Sequence, residues 1–327
     1  MTHPTNDLPL DERSRTELEA EGLRYAVVNT ADVDEFDRWL QTDQRGFHFT
    51  ALSAEQLAEY RAALADNRSI GVWDSTAAEP EHPIATVASW RSTVAVPGGG
   101  DLEAWAISAV SVAATHRRRG IARALLEGEL RAAHAAGLPM AMLTVSEATI
   151  YGRWGFGPAT YRADYRIDTR GLRLTAPLPE GRVHRVTASA LRPLAAGISA
   201  RARTAGEVPV FELYWDRLFG LSSRTASRAA QLRAARYDDA AGEPQGFVVY
   251  SVKENPADFA DHTVRVEYLC AASDDAAVAL WHYLLGLDLV TTVVAALRPV
   301  DEPHEGRELL YPEPGFSVRT GYGQPRR

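Results

Sequence analysis

The stretch Val110-Ser111-Val112-Ala113-Ala114-Thr115-His116-Arg117-Arg118-Arg119-Gly120-Ile121-Ala122-Arg123 joins a β-type run to a segment of helical spacing through a short polar loop. The helix runs from about Gly120 to Ala136, with Ala122, Leu126, Leu130 and Ala133 on one apolar face, and Gly137 and Pro139 end it. The first N–H groups of such a helix have no intrahelical acceptor, so those between Arg118 and Arg123 point out of its first turn. Their partial positive charge, together with the arginines, suits a pyrophosphate. Gly120 lets the backbone come close, and Ala122 keeps the next turn small. An arginine run standing alone would read as a solvated loop.

Upstream, Ile70 to Trp73, Ile84 to Ser92 and Trp105 to Val112 are β-type runs separated by turn-rich pieces such as Pro97-Gly98-Gly99-Gly100-Asp101, and an antiparallel meander is expected. Leu23 to Val28 reads as a strand and Asp32 to Leu40 as a helix whose acidic first turn suits the helix dipole. Ser53 and Gln56 form a capping box ahead of Leu57, Tyr60 and Leu64. Residues 1–22 carry no sustained apolar period and are expected to form a flexible acidic leader, with room for a short helical turn at Thr16 to Gly22. Downstream, Met140 to Ser146 reads as a buried strand and Glu147 to Trp154 as a short helix. Thr160 to Ile167 reads as a strand with Tyr161, Ala163, Tyr165 and Ile167 on one face.

Thr169 to Glu180 is rich in glycine, proline and arginine, which places a domain boundary after Asp168 and gives domains at 23–168 and 169–299. In the second, Phe247 to Val252 and Thr263 to Leu269 read as paired strands, Asp274 to Leu285 as a helix ended by Gly286, and Leu289 to Ala295 as a strand. This order repeats the one between Trp105 and Ser146, as an internal duplication would. Residues 300–327, a disordered or truncated tail, hold Pro312, Pro314, Gly315, Gly321, Gly323 and Pro325 without apolar period.

A chain of 327 residues exceeds one ordinary core, so two domains are the default. The net charge of -8 argues against a duplex-DNA binder, and no apolar run reaches the length that spans a bilayer. One cysteine, Cys270, allows neither an internal disulfide nor a thiolate metal site, and a reducing, cytoplasmic setting is expected with no metal. Lys253 is the single lysine, a compositional bias of the source genome.

Arg117, Gly120 and Ala122 fit an Arg-x-x-Gly-x-Ala signature in its strand-to-helix context, and Ser146-Glu147-Ala148-Thr149-Ile150-Tyr151-Gly152-Arg153-Trp154-Gly155-Phe156-Gly157-Pro158-Ala159-Thr160 adds a second motif. Together these closely resemble the enhanced intracellular survival (Eis) family of GNAT N-acetyltransferases, over roughly Leu23 to Pro299. The resemblance implies an α/β (α+β) architecture of two tandem GNAT-like acyltransferase domains, mixed twisted sheets flanked by helices. It implies an acyltransferase that moves an acetyl group from acetyl-CoA to an amine of an aminoglycoside, polyamine or lysine-like acceptor. By position, Val110, Ser111 and Val112 would hold the pantetheine arm, Arg118, Arg119, Gly120, Ile121, Ala122 and Arg123 the pyrophosphate, and Ser146 and Glu147 the cofactor wall. Tyr151 matches the family's general acid, and a homo-oligomer, the family's hexamer, is implied.

The chemistry calls for such parts independently. Amine attack on a thioester needs a donor for the developing oxyanion, a proton for the leaving thiolate and a path for the amine's own proton; the resemblance implies that the first is a main-chain N–H near Ala109 or Val110, where the strands of that fold part. A phenol with an ordinary pKa near 10 stays protonated at neutral pH and suits the second task. Tyr151 also reads as an aromatic packed beside Trp154 and Phe156, Glu147 as a base acting through water or a helix-start charge, and His116 as a base or a neighbour of the pyrophosphate. Phe47, His48, Phe49 and Tyr60 lie where the family places its acceptor-binding helices.

Two departures from the family stand out. Cys270-Ala271-Ala272-Ser273-Asp274-Asp275 stands in the second domain where the arginine and glycine loop would be, and its carboxylates repel a pyrophosphate. That domain is expected to bind no cofactor, to wall the acceptor cleft and to support assembly. Family members continue into a sterol-carrier-protein-like domain whose terminal carboxylate is the proton acceptor, and Val300 to Arg327 is too short for it. A non-catalytic acetyl-CoA-binding scaffold or regulatory protein is therefore the alternative. A nucleic-acid-binding module built on Arg117 to Arg123 comes third.

Overall fold

Arg68 through Trp73 are buried without interruption, as befits a strand covered on both faces. That strand belongs to the first of two units into which the chain divides, 1–157 and 158–327. The computed structural model describes residues 8–145, 150–172 and 177–300, and the backbone of 316–322.

The first unit runs α1 (Glu12–Glu19), β1 (Leu23–Val27), α2 (Val33–Gly46), α3 (Ala54–Leu64), β2 (Arg68–Asp74), β3 (Ala85–Ala95), β4 (Asp101–Val112), α4 (Ile121–Ala135) and β5 (Ala141–Leu143). Its sheet has the order β1-β2-β3-β4-β5, antiparallel up to β4 and parallel between β4 and β5. α4 supplies the crossover that parallel pairing demands. Its buried side includes Ile121, Ala124, Leu125, Gly128, Glu129 and Ala132, a broader surface than the stripe expected. Gly137 takes φ +75° just beyond its end. The Ser53–Gln56 capping box is formed, and α2 starts from an Asp32 cap but continues to Gly46. Apolar spacing fades at Leu40 although the backbone does not unwind, because the polar Gln44 is itself buried.

From residue 8 onward the expected leader is instead built structure. Asp11 caps α1 by accepting from the Ser14 N–H, Ser14 Oγ donates to the Ala124 carbonyl at 2.7 Å, and Leu18 is buried. Arg131 on α4 holds Asp11 through two bonds of 2.8 and 2.9 Å. Partners more than a hundred residues away fix a short polar helix that has no apolar stripe of its own.

The second unit runs β6 (Tyr161–Asp168), β7 (Arg182–Val186), α5 (Arg192–Ala202), α6 (Glu212–Leu218), β8 (Leu232–Asp238), β9 (Pro244–Lys253), β10 (His262–Ala271), α7 (Asp274–Leu285), β11 (Val290–Arg298) and β12 (Phe316–Tyr322). Its sheet has the order β12-β6-β11-β10-β9-β8-β7. β10 and β11 are parallel across α7, as β4 and β5 are across α4, which matches the duplication read from the sequence. One face packs Leu280, Trp281 and Leu284 of α7 on Val248 and Val264, and the other gathers Trp215, Phe219 and Phe247. Cys270 is buried, and burial pushes its thiol up to about 12.

Two expectations about this unit are corrected. β6, expected to close the first domain, lies between β12 and β11, so the division falls between Gly157 and Pro158 and not after Asp168. Its alternation, with Ala163, Tyr165 and Ile167 buried and Tyr161 60% exposed, fixes a face but says nothing of which sheet receives it. The tail expected to be disordered contributes β12, paired antiparallel with β6 from Phe316↔Ile167 to Tyr322↔Tyr161. A ladder is made by main-chain groups, so glycine-rich composition hides it. No helix among the described residues is long and apolar enough to cross a membrane.

Candidate active site

β4 carries an irregularity at the point where its two neighbours part. Thr86 faces Ser111 and Ala88 faces Ser108, so Val87 of β3 stands opposite both Ala109 and Val110. This is a β-bulge, and Ala109 adopts φ +54°, a left-handed conformation unfavourable for a residue with a Cβ. On the other edge, β5 pairs with Trp105, Ala106 and Ile107. Beyond Ile107 the described pairing to β5 ceases. The Ala113 N–H donates to Ile84 on the β3 side at 2.8 Å. Alternation along the strand therefore turns the N–H groups of Val110 and Val112 to the edge that β5 has left. Among the residues expected to hold a pantetheine arm, Val110 and Val112 thus turn N–H groups to an edge where no described residue pairs with them, while Ser111 packs inward at 8% exposure.

After β4 the chain makes a single 3₁₀ turn, Ala114–His116, and reaches α4 through two left-handed residues, Arg118 at φ +65° and Gly120 at φ +79°. Gly120 is the N-cap and no side chain caps the helix, so the N–H groups of Ile121, Ala122 and Arg123 are left to an outside acceptor. A Cβ on Gly120 would meet only the Arg123 guanidinium, at 3.7 Å. Arg117, Arg118 and Arg123 are exposed and form no ion pair with another described residue, whereas Arg119 donates to the Glu21 carbonyl at 3.1 Å. Uncapped donors, an open glycine and unpaired guanidinium groups together fit an anionic diphosphate.

His116 lies beside this loop with its role narrowed. Its Nε2 is 3.1 Å from Asp74 Oδ2, and its Nδ1 is 2.8 Å from Thr115 Oγ1. Hydrogen bonds from Thr76 and then from His116 hold the Asp74 carboxyl down at about 2. The imidazole is thereby tied to the end of β2 and anchors the loop. Asp74 escaped the sequence reading, although Asp74-Ser75-Thr76 has the form of an Asx turn.

Tyr151 is 9% exposed and belongs to the same core as Ile121, with Val110 and Val112 packed against it. Its ring lies 6.3 Å from Trp154 and 6.1 Å, edge-on, from Phe156. The ring is thus placed in the core shared by β4 and the start of α4. The expected short helix is described as a 3₁₀ turn, Gly152–Trp154. Ser146 and Glu147 lie outside the described residues. Phe47 and Phe49 stack at 6.4 Å after the end of α2, and Tyr60 is buried in the manner of a core residue.

Comparison with known proteins is consistent across both units. Residues 28–159 match one acetyltransferase (GNAT) domain family and residues 211–321 another. An uncharacterized N-acetyltransferase of Streptomyces coelicolor is 34% identical over 278 residues, covering 82% of this chain and 66% of the relative. The N-acetyltransferase Eis of Mycobacterium bovis is 33% identical over 223 residues, covering 64% of this chain and 52% of the relative. Among solved structures, Eis1 from Mycobacterium abscessus aligns with a TM-score of 0.73 at 26% identity, over 92% of this chain and 71% of the other. The chain therefore spans between about half and two thirds of the length of these curated relatives.

Proposed function

This chain belongs to the GNAT acetyltransferases, among relatives of the Eis type, and from that premise we propose that its first unit transfers an acetyl group from acetyl-CoA to a primary amine. The observation that carries the reading is the uncapped start of α4, one short loop after a strand whose far edge has no described partner beyond Ile107. Acetyl-CoA, when bound, supplies the thioester to be attacked. The N–H groups of Val110 and Val112 pair with the pantetheine amides along the open edge, and the bulge beside them presents a donor to a developing oxyanion. Ile121, Ala122 and Arg123 give their N–H groups to the diphosphate, with Gly120 allowing close approach and Arg118 and Arg123 adding charge. Ser146 and Glu147 complete this wall by position in the family motif.

Tyr151 gives up the proton that the leaving thiolate takes as the C–S bond breaks; the attacking amine releases its own proton to solvent, from which the phenolate is reprotonated. An unperturbed phenol is protonated at neutral pH, and aromatic packing fixes the ring in one orientation. The acceptors in this reading are amines of the aminoglycoside, polyamine or lysine type. The second unit takes no cofactor: Ser273 caps α7 by accepting from the Ala276 N–H, and Asp274 and Asp275 occupy its first turn, where they oppose an anion.

Release of free coenzyme A from acetyl-CoA, measured with the purified chain against a panel of aminoglycosides, polyamines and lysine-containing peptides, tests the proposal. Amine-dependent release supports transfer. No release with any amine, while acetyl-CoA still raises Tm, would leave binding without transfer.

A further inference from the structure

Thr86 of β3 flanks the bulge in β4, paired with Ser111, and its hydroxyl is committed on both sides. Thr86 Oγ1 is 2.7 Å from the Ala109 carbonyl and 2.7 Å from Ser111 Oγ. A carbonyl can only accept, so the one Thr86 proton goes to Ala109 and Ser111 must donate to Thr86. The threonine is fully buried and Ser111 nearly so, which leaves water no part in the arrangement. A third element closes on the same spot: a Cβ at Gly46, the last residue of α2, would come within 2.6 Å of Ser111 Cβ.

We infer that Thr86 is a positioning residue for acetyl transfer: its hydroxyl holds the Ala109 carbonyl and thereby the bulge that turns the next N–H groups to the open edge of β4. The inference rests on the acetyl-transfer reading of that edge. Ala109 supplies the reasoning. A left-handed alanine in a strand relaxes toward ordinary extended backbone unless its surroundings over-determine it. Removing the bulge would shift the register of β4 by one residue and reverse which N–H groups face the open edge. The carbonyl of Ala109 has left the regular ladder, and the Thr86 hydroxyl is the donor that satisfies it inside the sheet.

The test compares Thr86→Val, which keeps the shape and deletes the hydroxyl, with Thr86→Ser, which keeps the hydroxyl. Thr86→Val is expected to raise amide exchange at Ser111 and Ala113, whose N–H groups pair toward β3, by about tenfold or more, as loosening of a local unit does. It should lower kcat on the order of tenfold to a hundredfold, with KM for the amine little changed, since misplaced donors act on the transition state. Thr86→Ser should restore both to within about threefold of the unaltered chain, because one hydroxyl is worth about one net hydrogen bond. ADP, which carries the diphosphate without the pantetheine arm, should bind all variants alike, whereas coenzyme A should bind Thr86→Val more weakly.

Unchanged exchange at Ser111 and Ala113 in Thr86→Val would overturn the inference, and so would raised exchange with unchanged kcat. If the valine variant fails to fold, Thr86→Ala against Thr86→Ser gives the same comparison. If the unaltered chain turns over no amine, the transfer reading fails by itself. The clamp is then judged by exchange together with the loss of coenzyme A affinity relative to ADP, and equal affinities in Thr86→Val would overturn it.

Discussion

The Arg68 guanidinium and the Glu129 carboxylate meet at 3.1 Å with both side chains fully enclosed. Glu129 also accepts from Trp105 Nε1 at 3.2 Å and from Ser89, while Arg68 donates to the carbonyls of Leu8 and Pro9. The network fastens β2, β3, β4, α4 and the segment before α1 to one another. Each charge is tolerable only because the other is present, so removing one partner should cost far more than removing both. Glu129→Ala is expected to lower unfolding free energy by about 3–5 kcal/mol. A paired Arg68→Met, Glu129→Leu variant should recover much of that loss, as measured by urea unfolding.

Asp11 and Arg131 give a pH dependence of known sign. The bidentate guanidinium is the largest influence on the Asp11 carboxyl, and with the Ser14 N–H it lowers its pKa from 3.8 to about 2. A carboxyl depressed on folding contributes stability that is present above its unfolded value and is lost as pH falls through the folded one. The attachment of α1 to α4 should therefore hold at pH 5 and above and weaken between roughly pH 4 and pH 2. Amide exchange at α1 followed across that range checks this. Asp11→Asn should expose α1 at neutral pH and remove its dependence on acid.

How much of this was legible in the sequence follows from the range of the interactions. The Ser53–Gln56 box, the Ser273-to-Gly286 span of α7 and the strand-to-helix passage at Gly120 are written within four to fifteen residues, and local pattern found them. The two parallel strand pairs across α4 and α7 were legible as repeated order. Arg68 and Glu129 are 61 positions apart, and Ser14 and Ala124 are 110 apart, so no periodicity could pair them. Period-two alternation in β6 gave its inner face and left its sheet open. The bulge was invisible for a further reason. Ala109 in a strand looks like any small residue, and its left-handed φ is imposed by Thr86 from the neighbouring strand.

The arginine run should separate into unequal members. Arg118 and Arg123 are free to face an anion, whereas the Arg119 side chain is engaged with Glu21. Arg118→Glu replaces attraction by repulsion beside the uncapped helix start and should raise Kd for acetyl-CoA by about a hundredfold at low salt. Arg119→Ala leaves its N–H in place and should raise Kd by no more than about threefold, since the lost side chain carries only an exposed ion pair and one hydrogen bond, both to Glu21. Titration calorimetry at two ionic strengths checks both. Added salt should shrink the Arg118→Glu effect.

Tyr151 has two readings that a single atom separates. The ring packs against Trp154 and Phe156 within the core shared with Ile121, and phenylalanine preserves all of that contact. If the residue is only a packed aromatic, Tyr151→Phe should be nearly silent in every assay. If its hydroxyl delivers a proton to the departing thiolate, the fold and acetyl-CoA affinity should persist while kcat falls by about 10²–10⁴-fold, the usual worth of a positioned general acid. The loss should also depend on the leaving group. An acyl donor whose thiol is more acidic needs less help from a proton, so the variant should recover with such a donor while the unaltered chain gains little. Steady-state rates with two thioesters of different thiol pKa make the comparison, and an equal defect with both would assign Tyr151 to packing.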